Sequence, residues 1–158
     1  MATVLILKPP SCDDYNRNYL RNFSLNVRKG ILNLEMNIIS PLHDGLRMNM
    51  NFLSRMSNST SFRNYYHYSL DMCNLLRYQT INLFKRWVST FHLYGNFKKT
   101  CPIPSNYYYI KDYNINELAI PSFLFSGYYR IFINMVQHKY RNQSRDFIIA
   151  CKVEVHIK

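Results

Sequence analysis

Apolar and polar residues alternate with a period of two along most of this 158-residue chain, and that spacing constrains its fold more than any other feature. Successive side chains of a strand point to opposite faces, so such alternation marks strands with one face buried and one wet. Tyr19, Phe23, Leu25 and Val27 alternate with Asn22, Ser24 and Asn26. After Arg28-Lys29-Gly30, Leu32, Leu34, Met36 and Ile38 alternate with Asn33, Glu35 and Asn37. Beyond a turn from Pro41 to Gly45, Leu46, Met48, Met50 and Phe52 alternate with Arg47, Asn49 and Asn51. A polar stretch from Ser54 to Ser61 leads into Phe62 to Asp71, whose tyrosines suit a fourth strand. Tyr107 to Tyr113 and Gly127 to Val136 read as two more, the second with Tyr129, Ile131, Ile133 and Met135 on one side. In the last strand Phe147, Ile149, Cys151, Val153, Val155 and Ile157 share one face, opposite Ile148, Ala150, Lys152 and Glu154.

Between the fourth and fifth strands the period changes. Leu76, Leu83, Phe84, Trp87, Val88 and Phe91 recur at three- and four-residue steps, which predicts one amphipathic helix over residues 75–94. Gly95 suits a left-handed cap at its end, and Trp87 reads as a core side chain. Residues 98–106 form a loop, and residues 114–126 read as loose. About seven strands and one inserted helix predict a mainly β protein, a two-sheet antiparallel β-sandwich of immunoglobulin-like type. The domain is expected over residues 12–158, with 1–11 as an N-terminal extension belonging to an incomplete signal or first-strand region.

Composition narrows the function. No apolar run approaches the ~20 residues of a membrane-spanning helix. Twenty Lys and Arg against nine Asp and Glu give a formal charge of +11, so the surface attracts nucleic acid, anionic lipid headgroups or acidic polymers. The basic residues are spread along the chain, with short clusters such as Lys85-Arg86 and Lys98-Lys99. Cys12, Cys73, Cys101 and Cys151 show no CxxC spacing, which argues against a zinc ribbon or a thioredoxin motif. Four widely spaced cysteines suit two disulfides in an oxidising compartment, with three pairings open; four reduced, buried thiols in a cytosolic protein fit the same count. Glycosylation sequons begin at Asn22, Asn58 and Asn142, the last two in polar stretches that read as loops. The N-terminal apolar stretch, Val4 to Leu7, is shorter than a signal-peptide core.

Catalytic chemistry has no visible seat. The nine acids include no pair spaced as a general acid with its base, and the chain has no GxSxG, P-loop, GxGxxG or HExxH motif. The five histidines are scattered, and His92 with Cys101 lacks the further ligands a metal needs. We therefore expect no enzyme, no catalytic residues, no metal and no cofactor. Arg63-Asn64-Tyr65-Tyr66-His67-Tyr68 interleaves basic and aromatic residues as a single-strand stacking platform does. No RRM, KH or zinc signature accompanies it, so nucleic-acid binding is the alternative reading rather than the main one.

One stretch is familiar. It runs Tyr68-Ser69-Leu70-Asp71-Met72-Cys73-Asn74-Leu75-Leu76, the helix, then Gly95-Asn96-Phe97-Lys98-Lys99-Thr100-Cys101-Pro102-Ile103. Tyr108-Tyr109-Ile110-Lys111-Asp112 and Ile120-Pro121-Ser122-Phe123-Leu124-Phe125-Ser126-Gly127-Tyr128-Tyr129-Arg130 follow. With the Asp-x-Cys before the helix, the Cys-Pro after it and the Pro…Gly-x-Tyr-Arg segment, the chain resembles an insect-expanded family of small secreted proteins of unknown function. That family is related to ganglioside-activator and ML-type lipid-recognition domains and includes the chemosensory protein B group. The resemblance covers roughly residues 12–157. It implies an exported, disulfide-bonded sandwich that opens between its sheets around an apolar or amphipathic molecule.

The resemblance also implies a disulfide pairing. Cys73–Cys101 ties the helix start to the loop after it, and Cys12–Cys151 joins the first and last strands. This chain departs from the family in lacking the signal peptide and the cysteine-bearing first strand that usually precede the position of Cys12. Cys151 is not a feature of every member. The expected function is a secreted carrier of a lipid or semiochemical. Its cleft walls are expected at Phe23, Leu25, Leu34, Met36, Met48, Met50, Phe52, Tyr129, Ile131, Ile133, Phe147 and Ile149. The basic surface suits an anionic lipid headgroup or membrane. A receptor-facing module with a filled core is the remaining alternative.

Overall fold

The computed structural model describes residues 3–77, 83–118, 120–121, 123–139, 141 and 143–158, with the backbone alone for 83–85. Its strands are β1 (Val4–Tyr15), β2 (Leu20–Arg28), β3 (Ile31–Ile38), β4 (Leu46–Arg55), β5 (Arg63–Asp71), β6 (Asn106–Asn114), β7 (Gly127–Lys139) and β8 (Ser144–Ile157). Helices α1 (Met72–Arg77) and α2 (Leu83–Tyr94) lie between β5 and β6. The strands form a five-stranded sheet in the order β1-β8-β7-β4-β5 and a three-stranded sheet in the order β2-β3-β6. All pairings are antiparallel. The protein is the mainly β, two-sheet sandwich with a small helical insertion that its period-two pattern predicts.

Four local features differ from the sequence reading. The first is β1, which begins at Val4, so residues 4–11 are a first-strand region, one of the two expectations for them, but lie within the sheet, paired with β8, rather than outside the domain. Lys8-Pro9-Pro10 interrupts the alternation and hides the strand. β1 tolerates its prolines because it is an edge strand, where a missing N–H need not face a neighbour.

The second is in β8. The β7–β8 register shifts between Met135↔Ile149 and Val136↔Phe147, which leaves Ile148 as an extra residue. A bulge of this kind changes which side chains face the core. Ile148, expected on the outer face, is 1% exposed and part of the core. Phe147, expected on the inner face, is only half-buried and packs in neither core cluster.

The third is the helix. It starts at Met72, earlier than expected, because the Asp71 carboxylate accepts the Asn74 N–H at 3.2 Å and caps the first turn. The helical residues form two segments, α1 and α2, and 78–82 between them lie outside the described residues, as do the side chains of Leu83 and Phe84.

The fourth is Gly95. It is not one of the residues with positive φ, so it is not a left-handed cap. It bridges to Ile110 of β6, and a Cβ there would lie 1.9 Å from the Tyr109 carbonyl oxygen. Close approach of a strand is the reason for glycine at this position. Among its described residues, the segment read as loose, 114–126, contains the 3-10 turn Ile115–Glu117, capped by the Asn114 side chain.

Both disulfides form in the pairing that the resemblance implies. Cys12 joins Cys151 across the β1–β8 pair, and Cys73 of α1 joins Cys101 in the loop before β6. Each therefore fixes a place where the sheets alone give little constraint: an edge strand and the root of the helical insertion.

Candidate functional site

The two layers differ in width. Five strands face three, so the smaller sheet does not cover the larger one by itself. The helical segments and the stretch before β7 complete the second layer. Leu75 of α1, Trp87 and Val88 of α2, and Ile120, Phe123 and Leu124 pack on a cluster built from Met50, Phe52, Leu70, Tyr129, Val155 and Ile157 of the large sheet. α2 is anchored to the small sheet through Tyr113. The Thr90 and Tyr113 hydroxyls lie 3.0 Å apart, and the Phe91 and Tyr94 rings stand 5.1 and 5.2 Å from the Tyr113 ring. A second cluster fills the other part of the sandwich, with Leu20, Ile38 and Tyr108 of the small sheet against Leu46, Ile148 and Ile149 of the large one.

Register fixes which side chains line the interior. Phe52, Ile131 and Val153 form one row across β4, β7 and β8, and Met50, Ile133 and Cys151 form the next. Phe52 and Met50 are buried at 1% and 3% exposure. Ile131, Ile133 and Val153 pack on the same cluster but stay half-buried. β7 and β8 have strand neighbours on both sides in the large sheet. On the small sheet Leu25 and Leu34 are direct cross-strand partners, both half-buried and in neither core cluster.

The expected wall residues therefore divide. Met50, Phe52, Tyr129 and Ile149 are buried core. Phe23, Met36, Met48, Ile131 and Ile133 pack on the core yet remain partly accessible. Leu25 and Leu34 stand apart on the small sheet, and Phe147 leaves the set. Sequence reasoning missed Ile120, Phe123 and Leu124. Their signal was present as three apolar residues within five positions of a stretch without periodicity.

The interior is electrically neutral in character. Burial is the first cause raising the phenol pKa values of Tyr108, Tyr113 and Tyr129, so these groups stay protonated at neutral pH. The Tyr129 hydroxyl donates to the Phe125 carbonyl at 2.8 Å, and that of Tyr108 to the Pro104 carbonyl at 2.8 Å. Among the described residues the buried polar ones are Gln137 and Glu154, and Glu154 alternates with the inward-facing Val153 and Val155. Such an interior favours apolar groups and penalises unpaired charge.

The basic and aromatic segment at 63–68 forms β5, an edge strand. Two of its rings contact the chain itself while remaining exposed: Tyr66 stacks on Phe123 at 4.4 Å, and the Tyr65 hydroxyl donates to the Phe123 carbonyl. Of the sequons, Asn58 is exposed in the turn after β4 and Asn22 is exposed on β2 with φ +56°. Asn142 lies outside the described residues.

A protein-family model described as "Protein of unknown function (DUF1091)" matches residues 48–131, just over half of the chain. The matched stretch runs from within β4 into β7 and takes in β5, both helical segments, the Cys73–Cys101 disulfide and β6. Comparison with curated proteins gives no match. The chain belongs to the DUF1091 family of proteins of unknown function.

Proposed function

We propose that this protein is an exported, non-catalytic carrier that holds a lipid or another apolar molecule, such as a semiochemical, between its layers, in the manner of ganglioside-activator and ML-type domains. The observation that carries this reading is the partial exposure of Ile131, Ile133 and Val153, inward-facing residues of two strands that have neighbours on both sides. A core built only for stability seals such positions, because apolar area left wet contributes nothing.

Burial drives binding in this account. Each ligand methylene moved from water contributes about 0.8 kcal/mol. Association costs at least about 4 kcal/mol in lost freedom, so chains shorter than about six carbons do not hold. Met48 and Met50 belong to the same cluster as Ile131 and Ile133 and bring unbranched, polarizable side chains that adapt to irregular shapes. Two disulfides support the reading of export, since such bonds persist in oxidising compartments. Glycans at Asn22 and Asn58 would sit on exposed backbone, away from the interior row.

Native mass spectrometry of protein purified from a eukaryotic secretion host tests this. The expected spectrum shows a population carrying one extra mass that is released by organic solvent and extracts as lipid. A spectrum of protein alone, unchanged after incubation with dodecanoic to hexadecanoic acids, would reject the carrier.

A further inference from the structure

We propose that the outer face of the five-stranded sheet carries a site for a phosphate or sulfate group, built from Lys8, Arg55 and Arg130 beside the turn at 57–60. This face is the reverse of the one that lines the apolar interior, so the inference stands apart from the carrier reading.

Lys8, Glu154 and Arg130 are register neighbours across β1, β8 and β7. Arg55, at the end of β4, is paired with Tyr128 on β7. Two aromatic rings hold the guanidinium groups. Arg130 lies 4.2 Å from the centroid of the Phe62 ring. Arg55 lies 5.7 Å from the same ring and 4.1 Å from that of Tyr128, which itself stacks on His156 at 4.1 Å. These contacts fix both cations without using up carboxylates.

A single acid serves the group. Glu154 is 7% exposed, and its Oε2 takes both Lys8 Nζ at 3.2 Å and Arg130 Nη2 at 3.6 Å. Three cations against one carboxylate leave two positive charges unbalanced around a pocket of about 430 Å³. Arg130 also has a buried Nε–H that meets no acceptor among the described residues. Cations drawn together in a partly shielded place repel one another, and a doubly charged oxyanion relieves that repulsion. The planar guanidinium fork matches the oxygens of a phosphate or sulfate better than it matches a spherical halide. Hydroxyl groups of Ser57, Ser59 and Thr60 line the same pocket and offer further donors. The hollow is open to solvent, so it admits a monoester as well as the free ion.

The test is calorimetric titration and thermal unfolding with sodium phosphate, compared with sodium chloride at matched ionic strength. Wild type should bind phosphate saturably and unfold at higher temperature in it, and chloride should do neither. Arg130→Gln should weaken phosphate binding about tenfold, and Lys8→Gln by a few fold. Arg21→Gln, which removes an exposed cation on β2, should leave it unchanged. Lys8 is 70% exposed, so its variant reports on the site even if Arg130→Gln, by stranding Glu154, fails to fold. Two further probes identify the source of the group: glycerol 3-phosphate, and phosphatidylcholine vesicles containing about one-fifth phosphatidic acid. Vesicle binding that phosphate displaces assigns the site to a lipid headgroup. Glycerol 3-phosphate binding without vesicle binding assigns it to a soluble ester. Equal responses to phosphate and chloride, or an Arg21→Gln loss as large as that of Lys8→Gln, would overturn the proposal.

Discussion

Ile131 stands directly across from Phe52 in the β4–β7 ladder, yet Phe52 is sealed while Ile131 still meets solvent. Two side chains on one face of adjacent strands ordinarily share their cover. Here the cover over Phe52 is the Phe123 ring, edge-on at 5.6 Å. The cover over β7 and β8 stops short of completion.

That difference has a measurable consequence. Phe52→Ala should cost about 3–5 kcal/mol, as truncation of a fully buried aromatic does, while Ile131→Ala should cost less than about 2 kcal/mol because its site is already partly wet. Urea denaturation of the ligand-free protein gives both numbers. Equal losses would mean that Ile131 is as firmly packed as its partner.

The disulfides should contribute unequally. They close segments of 139 and 28 residues, for which the chain-entropy model gives about 5 and about 3.5 kcal/mol. Replacing Cys12 and Cys151 together by Ser should therefore lower the denaturation midpoint more than replacing Cys73 and Cys101. The first loss is comparable with the whole stability of many domains, which is about 5–15 kcal/mol. Non-reducing peptide mapping should recover both links, and free thiols at either pair would contradict the framework.

Gly95→Ala tests the close approach of β6. An added Cβ would meet the Tyr109 carbonyl oxygen at 1.9 Å, so the strand must shift. The expected cost is about 3 kcal/mol, seen as a melting temperature lower by about 6–12 °C. Gly30→Ala is a different case, strained by φ +75° rather than by contact, since the added Cβ would lie 4.0 Å from Ile115 Cγ1.

Acid sensitivity should trace in part to Asp146. Lys139 Nζ at 2.8 Å and the Tyr19 hydroxyl at 2.6 Å both bond its carboxylate, and they hold its pKa below the ordinary value. A lowered folded pKa means that the stabilisation is present above the ordinary carboxylate range and is lost as pH falls through the lowered value. Asp146→Asn should thus flatten the fall in melting temperature across that acidic window. At alkaline pH the same contact acts in the other direction. Lys139 is raised chiefly by its bond to Asp146, so its contribution is present below the ordinary lysine value and fades as pH rises through the raised one. A variant with unchanged acid dependence would remove Asp146 from the account.

Much of the fold was legible because most of the strands alternate with a period of two and the helical insertion breaks that period. What escaped were single-residue events. Lys8-Pro9-Pro10 masked an edge strand that needs no alternation on its free side. The extra residue Ile148 reversed the expected faces of Ile148 and Phe147. Local pattern cannot register a bulge, because its cause is the partner strand. The candidate site was half legible for a similar reason. Alternation names which residues face inward, but only the width of the opposing layer decides whether Ile131 is sealed like Phe52 or left open.

The central claim is that the interior admits an apolar guest, and Trp87, the one tryptophan in the chain, packs beside that space on the cluster of Met50 and Phe52. The most direct measurement is titration of delipidated protein with a saturated fatty acid while Trp87 emission and displacement of a bound apolar dye are followed. The account predicts saturable, one-to-one binding with a change in Trp87 emission, and loss of that binding in Ile133→Phe, which fills the space without unfolding the protein. Absence of saturable uptake, or uptake that Ile133→Phe leaves unchanged, would contradict it.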